Sequence, residues 1–380
     1  MAAGLRIVAS ELALQERRND YDVTNTVRVS SVRSVARAVR RLFVGQYPSE
    51  SFDPLWLAFL DFERLYMGRD PEYHAVDTAY HDIQHSLDMT LALARLIVGY
   101  ETSHEPADRL GPDRARLVLV TALFHDSGYI RHRTRDGAAE NGAEFTRTHV
   151  SRSGAYLEAY LPRIGLDDFV AIVTPLVHYT GYEIPIDEIA LFDPKDRIAG
   201  ELLGTADLVA QMADRCYLEK CRDRLYPEFV LGKIAVNPGA AGSNATYRSG
   251  RDLLEKTMTF YHSSARKRLD ETFHASYRYF EAFFGDGRDP YMACIDKNLS
   301  FLTSLGERGD WSLLRRRPPC SLPDPNGEAK LMLLALRRLR SISSEERETT
   351  RKLRALEAST WTYPAIDPDH PPLDEERAPD

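Results

Sequence analysis

The sequence of 380 residues has little of what marks secreted, disulfide-linked or membrane-spanning proteins. It contains four cysteines, and none of them forms a CxxC pair. We therefore expect free thiols in a reducing compartment. No stretch approaches the roughly 20 apolar residues of a membrane span, and the N-terminus lacks a basic start followed by a long apolar segment. These absences predict a cytoplasmic protein without a signal peptide or stable membrane insertion.

A basic excess and regular strand patterns are also missing. The net charge is −8 and the sequence pI is about 5.8, whereas domains that bind nucleic acids usually carry clustered positive charge. Nucleic acid is therefore not expected as a partner. Alternation of apolar and polar residues is scarce, while apolar residues recur at helical spacing over most of the chain. The predicted fold class is all-α, a helical bundle with N-terminal and C-terminal helical extensions.

Proline and glycine divide the chain into three predicted regions. Residues 1–50 form an N-terminal extension, 51–310 the main helical domain, and 311–380 a charged, partly disordered C-terminal tail. The periodicity predicts helices near 30–45, 53–67, 78–100, 113–124, 140–161, 166–178, 197–223, 248–284, 289–305 and 328–357.

The helix near 30–45 is amphipathic and basic. Its arginines fall away from its apolar positions, at Arg33, Arg37, Arg40 and Arg41. One interpretation is a helix that meets a membrane surface or a partner. The other is a helix that packs on the main domain and leaves its basic side in solvent.

Histidine and aspartate recur in the main domain in a pattern suited to metal binding. In the stretch Tyr80-His-Asp-Ile-Gln-His85, His81 and His85 stand four residues apart and share one face of a helix. Imidazole and carboxylate ligands together suit divalent first-row metals. On its own this pair is also compatible with ordinary packing.

The sequence Val118-Leu-Val-Thr-Ala-Leu-Phe-His-Asp126 is an apolar helix that ends in His125 and Asp126. Adjacent residues on a helix diverge by about 100°, so both could reach one metal only if the helix ends there. Gly128 is predicted to provide that ending. Packing alone gives a poor explanation for a helix that delivers both groups at its end.

Asp207 lies in an apolar helix rich in small residues, within Leu203-Gly-Thr-Ala-Asp-Leu208. A buried carboxylate needs a compensating partner. A metal ion would serve, and so would hydrogen bonds within a core.

These motifs together resemble the HD superfamily of metal-dependent phosphohydrolases, whose signature is His, then His-Asp, then a distant Asp. The front stretch, Tyr80-His-Asp-Ile-Gln-His-Ser-Leu-Asp-Met89, is similar to the class I cyclic nucleotide phosphodiesterase motif Tyr-His-Asn-x-x-His-Ala-x-Asp-Val. That resemblance implies an HD-domain helical bundle over 51–310, with His81 as the general acid and His85 as a metal ligand.

The back half resembles degenerate HD-GYP phosphodiesterases. The stretch Glu144-Phe-Thr-Arg-Thr-His-Val-Ser-Arg-Ser-Gly154 is similar to their Glu-…-His-x-x-x-x-Gly element, and Ala206-Asp207 with Asp214-Arg-Cys-Tyr217 to their Ala-Asp-…-Asp-Arg-x-Tyr stretch. His178 lies where that family carries a further histidine. The two likenesses cover roughly residues 78 to 230.

The resemblance implies a site for two divalent ions, of Mn, Mg, Fe or Zn. One ion would be held by His85, His125, Asp126 and Asp207, and Asp126 would bridge to a second ion held by His149 and His178. Asp126 is in this way counted with His81 among the catalytic residues.

Five further residues are weaker candidates for contacts with substrate. Tyr129 and Tyr179 could stack on a base, and Arg131, Arg152 and Arg215 could hold a phosphate. For each, packing or an ordinary ion pair is the competing interpretation.

The leading functional hypothesis is a phosphodiesterase that hydrolyses a cyclic mono- or dinucleotide with metal-activated water. A nucleotide monoester phosphohydrolase, or nucleotidase, is the second enzyme hypothesis. The third is a non-catalytic HD module that senses a ligand. In each case the expected partner is a small phosphate ester, in practice a nucleotide.

Overall fold

A computed structural model describes residues 17–235 and 246–342, and in these ranges the protein is all-α, as predicted. Two isolated β-bridges, Tyr21 with Arg28 and Tyr73 with His132, are the only strand-like pairings in the described ranges. No described helix is long and apolar enough to cross a membrane. Of the four free cysteines, three are buried and Cys320 is exposed.

Twelve α-helices are defined within these ranges. They are α1 (Val32–Gln46), α2 (Asp53–Tyr66), α3 (Ile83–Ser103), α4 (Pro112–Phe124), α5 (His149–Tyr160), α6 (Val170–Val177), α7 (Pro194–Ala213), α8 (Tyr217–Lys220), α9 (Tyr226–Leu231), α10 (Gly250–Phe260), α11 (Tyr279–Phe284) and α12 (Pro290–Arg308). The chain is also helical from 327 to 342.

Helix α3 forms the centre of the bundle. It packs against α1, α4, α7 and α11, and almost every side chain from Ile83 to Tyr100 is buried. A helix that is apolar around its whole circumference must be enclosed on all sides. Helix α4 is similarly enclosed from Ala115 to Phe124. Two enclosed helices thus carry the predicted ligands into the interior.

The N-terminal segment belongs to the same compact unit as the main domain. Described residues up to Ala335 form that unit, and those from Leu336 to Ile342 fall in a second one. Asp22 pairs with Arg95 of α3 at 2.5 Å, and both side chains are buried. Helix α1 buries Val35 and Val39.

The four arginines of α1 remain exposed, as the docking interpretation expects. The predicted disorder of the C-terminal tail and the extension of its helix to 357 concern residues beyond 342, which lie outside the described ranges.

Two predicted helices are interrupted close to the candidate site. The helix predicted over 140–161 is instead a 3₁₀ turn, Gly142–Phe145, followed by α5. Asn141 and Glu144 cap the start of this turn reciprocally. The helix predicted over 197–223 stops at Ala213, because Asp214 has an extended backbone and its buried carboxylate binds Lys220 at 2.6 Å.

The helix predicted over 248–284 is also divided. It contains two π-helical turns, Tyr261–Ala265 and Arg268–Thr272. His274 and Ala275 then adopt positive φ angles of 49° and 54°, which end the regular helix. Periodicity identified the helical segments here, but it missed the break between them.

Candidate metal centre

The first ligand group stands at the start of α3. The Asp82 carboxylate accepts hydrogen bonds from the backbone N–H groups of Gln84 and His85, both at 3.0 Å. This cap satisfies donors that the first turn of a helix leaves free. His85 is thereby fixed in the first turn with its side chain buried, and His81 precedes the helix.

The second group follows α4 directly, because that helix ends at Phe124. His125 and Asp126 therefore lie on a turn, and both are buried. The predicted end of the helix is confirmed, but Gly128 acts differently from the prediction. A Cβ atom on Gly128 would lie 1.9 Å from the carbonyl oxygen of His149. Close approach of two backbones therefore explains this glycine.

The packing of α3 on α7 brings Asp207 next to His85, His125 and Asp126. The His85 Nε2 atom lies 3.2 Å from Asp207 Oδ1 and 3.4 Å from Asp126 Oδ2. The His125 Nε2 atom lies 3.2 Å from Asp126 Oδ2 and 3.8 Å from Asp207 Oδ1. One ligand atom each from His85, His125 and Asp207 fall within 4.8 Å of one another, so this buried group can hold a metal ion.

Hydrogen bonds fix which imidazole nitrogen faces the centre. The Nδ1 atom of His125 lies 2.9 Å from the carbonyl oxygen of Ala122, and Nδ1 of His149 lies 2.8 Å from that of Thr146. A carbonyl oxygen only accepts, so each Nδ1 must carry a proton and donate it. In a neutral ring the Nε2 lone pair then points at the carboxylates, as a metal ligand requires.

The ligand atoms that face the centre have no other polar partner among the described residues to offset the cost of their burial. Asp126 Oδ2 and Asp207 Oδ1 are buried without a hydrogen-bond partner, and the Nε2 atoms of His85 and His125 are 3.3 Å apart. Lone pairs of nitrogen and oxygen facing each other at these distances repel unless a proton or a cation lies between them. The donor set therefore fits a divalent cation.

Protonation of a histidine can meet the same need. Burial favours the neutral form of His125, but the adjacent Asp126 carboxylate overcomes it and raises the pKa of His125 to about 9. Burial likewise opposes ionisation of Asp126, yet His125 holds the pKa of that carboxyl well below its usual range. A metal ion entering the centre must consequently displace a proton.

His149 and His178 are placed less closely. His149 Nε2 lies 3.7 Å from Asp126 Oδ1, the carboxylate oxygen that faces away from His85 and His125. Burial, followed by the nearby His81, lowers the pKa of His149. His178 is buried, its Nδ1 has no hydrogen-bond partner, and it is not among the residues that line the cavity of the centre.

His81 is held by a glutamate that sequence reasoning missed. His81 Nδ1 lies 2.6 Å from Oε2 of Glu228, whose side chain is fully buried. The other oxygen of Glu228 accepts the backbone N–H of Tyr80 at 2.6 Å. Burial opposes the charged imidazolium, but Glu228 outweighs it and raises the pKa of His81. An acid within the apolar run Tyr226-Pro-Glu-Phe-Val-Leu231 was the available signal.

Tyr129 supports the histidines rather than offering a free ring. Its centroid lies 4.5 Å from that of His81 and 4.3 Å from that of His149, with 19° between the ring planes in both cases. Only 1% of the residue is exposed. A substrate base therefore has no exposed face of the Tyr129 ring on which to stack, contrary to the prediction.

Four of the weaker candidates do not line the cavity of the metal centre. Arg131 binds Asp77 at 2.8 Å, and Arg152 binds Asp136 at 2.7 Å. Arg215 donates to Asn19 at 3.0 Å, and Tyr179 is buried beside Phe273. Each side chain is committed to packing, to a hydrogen bond or to an ion pair within the protein, so a role in binding substrate has no geometric support.

A cavity of about 600 Å³ opens onto the centre. It is lined by His81, His149 and the candidate metal ligands, and by two cations that the sequence did not single out, Arg147 and Lys256. Most of the remaining wall is aromatic or apolar, from Tyr80, Tyr182, Leu208, Met212, Tyr217, Leu225, Phe229, Ile234, Tyr247, Leu253 and Phe260. The Phe229 and Tyr247 rings are stacked at 5.8 Å.

The chain matches no known family model, no curated protein and no solved structure.

Proposed function

We propose that this protein is a phosphohydrolase that depends on divalent metal ions. Its proposed reaction is the hydrolysis of a phosphodiester bond in a cyclic mononucleotide or dinucleotide. The observation that carries the proposal is the inward-facing set of His85, His125, Asp126 and Asp207, whose carboxylate oxygens Asp126 Oδ2 and Asp207 Oδ1 are buried without partners. His81, held by Glu228, lines the same cavity. The four free cysteines agree with the proposed cytoplasmic location.

The two oxygens of Asp126 support a site for two ions. Oδ2 faces His85 and His125, while Oδ1 faces His149. A carboxylate with histidine ligands on both sides can bridge two cations, whereas His178, which does not line the cavity, adds no support for the second ion. When bound, such ions supply an activated water and neutralise charge on the phosphate. Mixed imidazole and carboxylate ligation suits Mn, Fe or Zn, and Mg accepts fewer nitrogen ligands.

His81 is proposed as the proton donor to the leaving oxygen. The Glu228 carboxylate at Nδ1 orients the ring and raises the pKa of His81, which favours the form that carries a proton on Nε2. An alkoxide leaving group, as in a phosphodiester of ribose, needs such an acid.

The cavity wall supports a substrate with a large flat group. Arg147 and Lys256 line the cavity and can meet phosphate charge, and Lys256 also pairs with Asp252 at 2.9 Å. The aromatic side chains of the wall can pack against a base. A volume of about 600 Å³ exceeds what a phosphate group alone would fill.

The test is turnover of cyclic AMP, cyclic GMP and cyclic di-GMP by protein loaded with Mn²⁺, Mg²⁺, Fe²⁺ or Zn²⁺. A linear nucleotide product supports the phosphodiesterase. Release of inorganic phosphate from nucleoside monophosphates, with the diesters untouched, would instead identify the nucleotidase. Metal binding without turnover of any ester would favour the third hypothesis, a non-catalytic module that senses a ligand.

Metal content provides the matched control. Wild-type protein should hold two ions per chain by elemental analysis, and His149→Ala about one. His262→Ala removes an exposed histidine that does not line the cavity, and it should leave the metal content unchanged. One ion in the wild type would refute the bridging role of Asp126.

A further inference from the structure

A second cleft shares a wall with the metal centre. The segment after α4 alternates between the two: Asp126 and Tyr129 line the cavity of the centre, while Ser127, Gly128 and Ile130 line a separate cleft of about 340 Å³. No residue lines both. The second cleft runs along α5 and is called the α5 cleft below.

The α5 cleft has an aromatic wall. Tyr73 packs edge-on to Tyr156 at 5.8 Å and to His132 at 5.1 Å, and Tyr156 is stacked on Tyr160 at 5.9 Å. Small side chains, Ala155 and Ala159, leave space beside these rings. Such a wall favours a flat ring over a flexible chain.

Polar groups in the cleft are left without partners. The Oγ atom of Ser127 makes no hydrogen bond, although only 3% of the residue is exposed. A buried hydroxyl without a partner is costly and calls for a ligand or an ordered water. Among the described residues, the Tyr156 hydroxyl also makes no hydrogen bond.

The charges around the cleft balance. Three arginines and three acids line it, and Arg152 with Asp136 already forms an ion pair at 2.7 Å. Within the described ranges the remaining four, Arg135, Arg163, Asp70 and Glu72, form no ion pair. The cleft therefore offers both donors and acceptors without net charge. The cleft thus has no excess of positive charge that would favour a phosphate.

We propose that the α5 cleft binds an uncharged nitrogen heterocycle, a nucleobase or nucleoside. A ring of this kind stacks on tyrosine, presents donors and acceptors at its edge, and suits a neutral pocket of this volume. The site is distinct from the catalytic cavity, but its ligand touches Ser127, the residue that follows Asp126.

The experiment is calorimetric titration of the full chain, in EDTA, with adenosine, guanosine, cytidine and uridine. Saturable binding of one or more nucleosides is expected, with one site per chain. Ala155→Trp fills the cleft and should weaken binding at least about tenfold. Ser127→Ala changes only the hydroxyl and should weaken binding about 2- to 12-fold. The second variant guards against misfolding of the first.

Tyr182→Ala is the matched control, because Tyr182 is 60% exposed and lines the catalytic cavity instead. Binding should be unchanged in this variant. Weakening by Tyr182→Ala but not by Ala155→Trp would overturn the proposal, as would no binding of any nucleoside. Tighter binding of nucleoside monophosphates or of free tryptophan would show that the assigned ligand class is wrong. Because no metal or turnover is needed, these results are independent of the proposed hydrolase.

Discussion

The buried contact between His81 and Glu228 gives the sharpest prediction for the proposed reaction. Glu228→Gln keeps the shape of the side chain and the acceptor for the Tyr80 N–H, but it removes the negative charge 2.6 Å from His81 Nδ1. Glu228 is fully buried, so solvent does not screen this charge. A charge of opposite sign at such range shifts a pKa by about 1 to 3. Loss of the Glu228 charge therefore shifts the free energy of protonation of His81 by about 1.4 to 4 kcal/mol in favour of the neutral ring.

The sign follows from the direction of the shift. Because Glu228 raises the pKa of His81, the acid form is present below that pKa and is lost as the pH rises through it. The variant should therefore lose activity at a lower pH than the wild type. Above its new pKa, kcat should fall about tenfold for each pH unit, and at acidic pH the two proteins should converge.

The assay is kcat against pH for a ribose phosphodiester and for a p-nitrophenyl phosphodiester. The p-nitrophenolate leaving group needs little protonation. For this substrate, the pH at which kcat falls on the alkaline side should therefore shift much less. Glu219→Gln is the control, since Glu219 is equally buried but accepts from the backbone of Arg316, away from the centre. Superimposable profiles for wild type and Glu228→Gln would refute His81 as the proton donor.

Three further predictions concern the metal centre. Because the pKa of His125 is raised to about 9 without metal, Mn²⁺ binding should tighten as the pH rises from 6 to 9 and should release a proton. Calorimetry in buffers of different ionisation enthalpy measures the proton release, and its absence would contradict the prediction. Asp126→Ala should lower turnover by more than about 100-fold with little change in thermal melting; retained turnover would exclude it as a ligand. Gly128→Ala places Cβ 1.9 Å from the His149 carbonyl and should cost about 1 to 3 kcal/mol in denaturant unfolding, whereas Gly137→Ala meets no atom within 4 Å and should be neutral.

Local periodicity predicted most helices because each helix carries its own apolar pattern. The predictions for α2, α4 and α12 agree with the structure to within a few residues at either end. They were wrong where a helix is broken by a side-chain contact or a backbone conformation that the apolar pattern does not record. Asp214 stops α7 by pairing with Lys220, and positive φ angles at His274 and Ala275 divide the long helix near the C-terminus.

Residue type was an informative signal for the candidate metal ligands and a weak one for the candidate substrate contacts. A histidine or aspartate in an apolar helix is rare enough to point to chemistry, and His85, His125, Asp126 and Asp207 do converge. Arginines are common on surfaces and pair with any nearby acid. Arg131 and Arg152 were therefore chosen on a weak signal, and the structure shows them bound to Asp77 and Asp136.

The sequence by itself determined the all-α class, the types of side chain in the candidate metal centre, and the end of α4 after which His125 and Asp126 turn inward. These properties depend on residues within a few turns of one another, so they can be read locally. The tertiary structure alone decided that Glu228, 147 positions from His81, supports its imidazole. It also decided that Arg147 and Lys256 face the cavity while Arg215 does not. Such contacts depend on how α3, α7 and α9 pack, and helix packing is set by the whole surface of each helix rather than by a motif.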